Sequence, residues 1–133
     1  MAFVLDASIC AAWALADESA TQAEIAEDRL KRDIGLVPRI WWYEVRNLLI
    51  VSERRQRIAA DESAAFLRVL SAYPIRVDTL EDEAAIFHLA RKHRLSFYDA
   101  AYLALAQANR TPLATLDKAL EAAALAEGVP LLS

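Results

Sequence analysis

Four carboxylates of this 133-residue chain stand in sequence that is otherwise apolar. Asp6 directly follows "FVL". Glu44 lies on a helical stretch with Ile40, Trp41, Leu48 and Val51 one turn away on either side, Asn47 being the polar exception. Asp99 opens the apolar run "FYDAAYLALA", and Asp117 follows "PLATL". Carboxylates brought together repel one another unless they share protons or a cation neutralises them. No set of His and Cys offers the softer ligands that zinc prefers, since His88, His93 and Cys10 are scattered. An all-oxygen cluster selects a hard cation, Mg²⁺ or Mn²⁺. Such an ion can bind a phosphodiester, sharpen a water into a nucleophile and stabilise the leaving oxygen.

Each acid also has a simpler reading. Asp6 and Asp117 could serve as N-caps of the helices that follow them. Ser96 and Asp99 fit a capping box, with Asp in place of the preferred Glu. Glu44 could snorkel from an edge position. What counts against four separate explanations is position, because three of the four fall at strand-to-helix junctions or helix starts.

The elements that would hold these residues read as alternating strands and helices. "AFVL", "IGLVP", "PIRVDTL", "TPLATL" and "VPLLS" are of strand type. "SICAAWALA", "TQAEIAEDRLKR", "WWYEVRNLLIVSERR", "DESAAFLRVLSAY", "EDEAAIFHLARKH", "SFYDAAYLALAQAN" and "DKALEAAALAEG" are helical. Parallel neighbours need crossover helices, so this order predicts an α/β fold with a mainly parallel central sheet flanked by helices. Such sheets bind ligands beyond the carboxyl ends of their strands, where strand order reverses. If the first and fourth strands are neighbours, Asp6 and Asp117 share one crevice.

A chain of this length, 56% hydrophobic and with two glycines, is expected to form one domain over residues 1–133. Its lone cysteine suits a reducing compartment and reads as a small buried hydrophobe. "MAFVLDAS" lacks the basic start of a signal peptide, and no uncharged apolar run reaches the ~18 residues of a membrane span. A soluble, cytoplasmic protein with no membrane contact is therefore expected. The net charge of −4 argues against simple electrostatic capture of nucleic acid. Basic clusters at 29–32, 53–57 and 91–94 each fall near the expected end of a helix, where cations meet the dipole. A cation in the acidic crevice would let an acidic protein meet a phosphodiester all the same.

"FVLDAS", "WWYEVRNLL", "LSFYDAAYLALA" and "PLATLDKAL", taken together and in this order, resemble a PIN domain, and among PIN domains the VapC toxins of bacterial VapBC pairs. The resemblance runs from Phe3 to Leu132. It implies a metal-dependent endoribonuclease, the toxin component of a type II toxin–antitoxin system, with Asp6, Glu44, Asp99 and Asp117 around Mg²⁺ or Mn²⁺. Thr115 matches the hydroxyl position beside the last acid and is placed with the catalytic set. Ser8 matches the small polar residue after the first acid, and Asn47 a position often polar in these toxins. The implied reaction is in-line attack of a metal-activated water on phosphorus, leaving a 5′-phosphate and a 3′-hydroxyl. The implied partners are an RNA substrate, a VapB-like antitoxin and a second copy in a homodimer.

Two other classes stay open on the sequence. A Mg²⁺-dependent phosphatase or phospho-receiver would also place an Asp after the first strand. A haloacid-dehalogenase-like phosphatase wants a second Asp two residues on, where this chain has Ser8; a receiver wants an acidic pair there, with Asp78 as phospho-acceptor. A non-catalytic interaction module would draw on Trp13, Trp41 and Trp42, although tryptophans of this kind are more often core.

Overall fold

The structure, a computed structural model, describes residues 1–15 and 20–133. Its sheet has four parallel strands: β1 (Ala2–Leu5), β2 (Ile34–Pro38), β3 (Ile75–Asp78) and β4 (Leu113–Ala114), in the order β3-β2-β1-β4. Phe3, Val4 and Leu5 are fully buried, as a strand covered on both faces must be. Among the described residues, six helices connect the strands and a seventh follows β4: α1 (Ala7–Ala14), α2 (Thr21–Arg29), α3 (Ile40–Arg54), α4 (Ala60–Ser71), α5 (Glu83–His93), α6 (Phe97–Asn109) and α7 (Lys118–Ala126). Ala16, which the sequence reading placed at the end of the first helix, lies outside the described residues.

The sheet order contains one reversal. The chain lays β2 and then β3 outward from one edge of β1, and returns to set β4 on the other. Leu5 pairs with Ala114, and the Asp6 amide donates to the Ala114 carbonyl at 3.0 Å. The switch point therefore lies beyond the carboxyl ends of β1 and β4, as required for Asp6 and Asp117 to meet.

Helix α6 packs in the middle of the molecule, with every residue from Ala100 to Ala106 buried. Its alanines allow close approach to the sheet, while Tyr102, Leu103 and Leu105 fill the gaps. Gly35 serves the same purpose in β2, where an added Cβ would stand 3.2 Å from Leu30 Cδ2. Gly128, at φ +76°, turns the chain after α7.

Three strand expectations shrink in the structure, "PIRVDTL" to Ile75–Asp78. "TPLATL" is extended in ladder geometry only at Leu113–Ala114, and "VPLLS" contributes one bridge, Leu113 to Leu131, instead of a fifth strand. Pro130 has no N–H to extend that ladder. The tryptophans divide as well. Trp41 is buried, Trp13 donates its indole hydrogen to the Ala23 carbonyl at 2.9 Å, and Trp42 is 48% exposed. Cys10 is buried, and burial pushes its thiol up to about 12, so it behaves as a small hydrophobe. No helix among the described residues is long and apolar enough to cross a membrane.

Candidate active site

Asp6, Glu44, Asp99 and Asp117 line one open crevice together with Ala7, Ser8, Asn47 and Leu48. The four acids come from the end of β1, the first turns of α3, the first turn of α6 and the start of α7. The structure thus brings together every acid singled out in the sequence, along with both supporting residues, Ser8 and Asn47.

Asp6 occupies the N-cap position of α1 yet makes no side-chain capping bond. Its Oδ2 instead accepts from the hydroxyls of Thr115 at 2.6 Å and Ser8 at 2.7 Å. The same two hydroxyls brace the opposite strand end, since Leu116 N–H donates to Ser8 Oγ at 2.9 Å and Asp117 N–H to Thr115 Oγ1 at 3.0 Å. Thr115 is fully buried and Asp6 nearly so. Burial raises the Asp6 pKa above the ordinary carboxylate range, the hydroxyls pull it back, and Asp117 adds to the rise.

Asp117 does cap its helix, accepting from Leu120 N–H at 2.9 Å, and still lines the crevice. The two readings of this residue are compatible, because a carboxylate has two oxygens. At the start of α6 Ser96 is the cap, accepting from Asp99 N–H at 3.0 Å. No hydrogen bond from the Ser96 N–H to the Asp99 carboxylate completes a capping box among the described residues. Asp99 is half-buried, and burial, then Asp6 and Asp117, raise its pKa. Glu44 is raised by burial and by Asp6 and Asp99, against the lowering effect of Tyr102, whose hydroxyl donates to Glu44 Oε1 at 2.7 Å.

Tyr102 is the residue that the sequence reading missed. It is fully buried on α6, one turn after Asp99, and burial and the nearby carboxylates push its phenol far above the usual range. The i,i+3 spacing from Asp99 is the signal that could have found it, since such residues share a helix face.

Among the described residues, no arginine, lysine or histidine contributes to the shifts of Asp6, Glu44 or Asp99. The basic clusters do sit at helix ends, and Lys92 and His93 are taken up by Glu127, at 2.8 and 2.6 Å. The crevice is therefore a place of uncompensated negative charge built from hard oxygen donors, which fits Mg²⁺ or Mn²⁺ chemically. Among the described residues no three His, Cys, Asp or Glu side chains stand close enough to enclose an ion as they are oriented. Asp6, Glu44 and Asp117 are each turned toward a protein donor.

The PIN domain model matches residues 3–125, and the chain belongs to the PIN-domain family. It is 36% identical over 128 residues to "Ribonuclease VapC3" of Pyrobaculum aerophilum, across 90% of this chain and 92% of that protein. Two crystal structures share its fold. PAE2754 from Pyrobaculum aerophilum superposes with a TM-score of 0.70 at 24% identity, over 92% of this chain and 79% of that one. VapC20 of Mycobacterium tuberculosis, a toxin that cleaves the sarcin–ricin loop, superposes with a TM-score of 0.63 at 17% identity, over 91% and 94%.

Proposed function

We propose that this chain is a metal-dependent endoribonuclease of the VapC type, the toxin half of a type II toxin–antitoxin pair acting in the cytoplasm. The observation that carries this reading is the gathering of four carboxylates from four elements in one crevice at the sheet's switch point, with no cationic side chain among the described residues offsetting Asp6, Glu44 or Asp99. The ribonuclease named among its relatives supports it.

Asp6, Glu44, Asp99 and Asp117 would hold Mg²⁺ or Mn²⁺. When bound, such an ion neutralises the scissile phosphate and acidifies a water. Thr115 and Ser8 hold Asp6 by Oδ2 in one orientation at the wall of the crevice. Asn47, exposed at the rim, offers an uncharged amide to the sugar–phosphate backbone, where another carboxylate would repel it. Hydrolysis joins a water oxygen to phosphorus and breaks the bond to O3′, which takes up a proton. The products are a 5′-phosphate and a 3′-hydroxyl.

The test is RNA cleavage in Mg²⁺ or Mn²⁺, in chelator, and with Asp6→Ala and Asp99→Ala. Cleavage should need the metal and vanish in both variants while circular dichroism stays native. Persistence in chelator, or in both variants, overturns the reading. Hydrolysis of a phosphomonoester without cleavage of any RNA would favour a phosphatase instead.

The partners proposed are a VapB-like antitoxin and a second copy of the chain. Exposed Trp42, with Arg46 stacked 4.0 Å over its ring, offers an apolar seat on α3 for an antitoxin helix, from which a basic antitoxin side chain would have to extend to the carboxylates. Trp13, bonded to Ala23 and edge-on to Tyr73, is engaged with those residues within the fold. Sedimentation of the purified protein should show a dimer, and a monomer at high micromolar concentration would overturn that part.

A further inference from the structure

At the crevice wall a polar contact joins helices α3 and α6. Tyr102, fully buried, donates its hydroxyl hydrogen to Glu44 Oε1 across 2.7 Å. A buried phenol needs an acceptor, and Glu44 is the acceptor that Tyr102 has among the described hydrogen bonds. The bond fastens one oxygen of Glu44, and among the described residues no hydrogen bond to Oε2 is found. Glu44 also lines the crevice beside Asp6 and Asp99. A carboxylate oxygen that accepts a hydrogen bond is the weaker of the two as a metal donor, so a cation is favoured at the other oxygen. Small cations with octahedral demands accept single oxygens and keep waters, whereas Ca²⁺ collects six to eight oxygens and often takes carboxylates through both.

We propose that Tyr102 is a positioning residue that holds Glu44 by Oε1, so that Glu44 meets a divalent cation through Oε2 alone and the site disfavours Ca²⁺. This rests on the metal-dependent reading above. Tyr102→Phe keeps the ring in the core and releases Glu44. Partners that orient metal ligands are commonly worth about 10–100-fold in affinity.

The experiment is Mn²⁺ binding followed by electron paramagnetic resonance, with Ca²⁺ as competitor, in wild type, Tyr102→Phe, Glu44→Gln and the double variant. Tyr102→Phe should bind Mn²⁺ about 10-fold more weakly and lose it to Ca²⁺ at a lower Ca²⁺-to-Mn²⁺ ratio. In the Glu44→Gln background the same change should have little further effect, because the two residues act through one contact. A Tyr102→Phe protein with unchanged Mn²⁺ affinity and unchanged Ca²⁺ competition overturns the proposal. So does an equal loss with and without Glu44, which would mark general damage to the core. If Tyr102→Phe does not fold, ¹³C-tyrosine spectra of the wild type decide. The Tyr102 Cζ signal should move on addition of Mg²⁺ and stay fixed in Glu44→Gln, and a signal indifferent to Mg²⁺ in the wild type overturns the proposal. A wild type that binds no Mn²⁺ overturns the metal-dependent reading itself, whereas binding by wild type with no change in Tyr102→Phe overturns the role of Tyr102 alone.

Discussion

Thr115 donates its hydroxyl hydrogen to Asp6 Oδ2 over 2.6 Å, joining residues 109 positions apart in the chain. The contact is fully buried on the threonine side, and it exists because β1 and β4 are neighbours that end side by side. It ties the best-hidden acid of the crevice to the strand end that carries Asp117.

Thr115→Val keeps the shape and removes the donor. Asp6 retains Ser8, but a buried acceptor that loses a partner costs about 1–3 kcal/mol. The melting temperature at pH 7 in chelator should fall by roughly 3–10 °C for a domain of this size. RNA cleavage should fall as well, because Asp6 is freer to turn. Thr115→Ser should restore both, and a Thr115→Val protein that melts and cleaves like wild type would show the hydroxyl to be idle.

Asp99→Asn should make the metal-free protein more stable. The carboxylate is half-buried, with Asp6 and Asp117 both acting to raise its pKa, so removing its charge relieves repulsion. The expected gain is about 1 kcal/mol, or a few degrees in melting temperature. If Asp99 acted only as a helix-start charge, its loss would cost about 0.3–1 kcal/mol instead. Melts in chelator and in millimolar Mg²⁺ separate the two, since the variant should also lose most of the Mg²⁺ stabilisation.

The stability of the metal-free crevice should fall as pH rises. Asp6, Glu44 and Asp99 all have folded-state pKa values above their ordinary ones, chiefly through burial. The folded protein therefore binds more protons than the unfolded chain across that interval. Their contribution is fully present below the ordinary carboxylate range and is lost as pH climbs through the raised values. Melts in chelator across pH 4–8, compared with Asp6→Asn/Asp99→Asn, should show the slope in wild type and a shallower one in the double variant.

Glu127 should act with the opposite sign. Lys92 and His93, then Gln107, hold it from α5 and α6 at 2.8, 2.6 and 3.1 Å, and the first two lower its pKa to about 2. Its contribution is present above the ordinary glutamate value and lost as pH falls toward about 2. Glu127→Gln should melt a few degrees below wild type at pH 7, with the gap narrowing by pH 3. A gap that stays constant with pH would mean the ion pairs contribute nothing.

The sequence by itself determined the element types and the suspicion of the acids. Period-2 and period-3.6 apolar patterns and strand-stopping prolines are local signals, so the order of strands and helices was legible, as were acids in apolar surroundings such as Asp99 and Glu44. Their misplacement is visible because burying a charge is costly wherever the chain goes. Strand lengths were less legible, as the single bridge at Leu131 shows, because pairing depends on what lies alongside. Only the tertiary structure decided that β4 returns to the edge of β1, which puts Asp6 and Thr115 within a hydrogen bond. It also decided that Glu44 is held by Tyr102, and that Asp117 can cap α7 and face the crevice at once. Contacts between residues 58 and 109 positions apart leave no trace in local pattern. They arise when the sheet closes and buried hydroxyls must find acceptors, and the acids are the acceptors within reach.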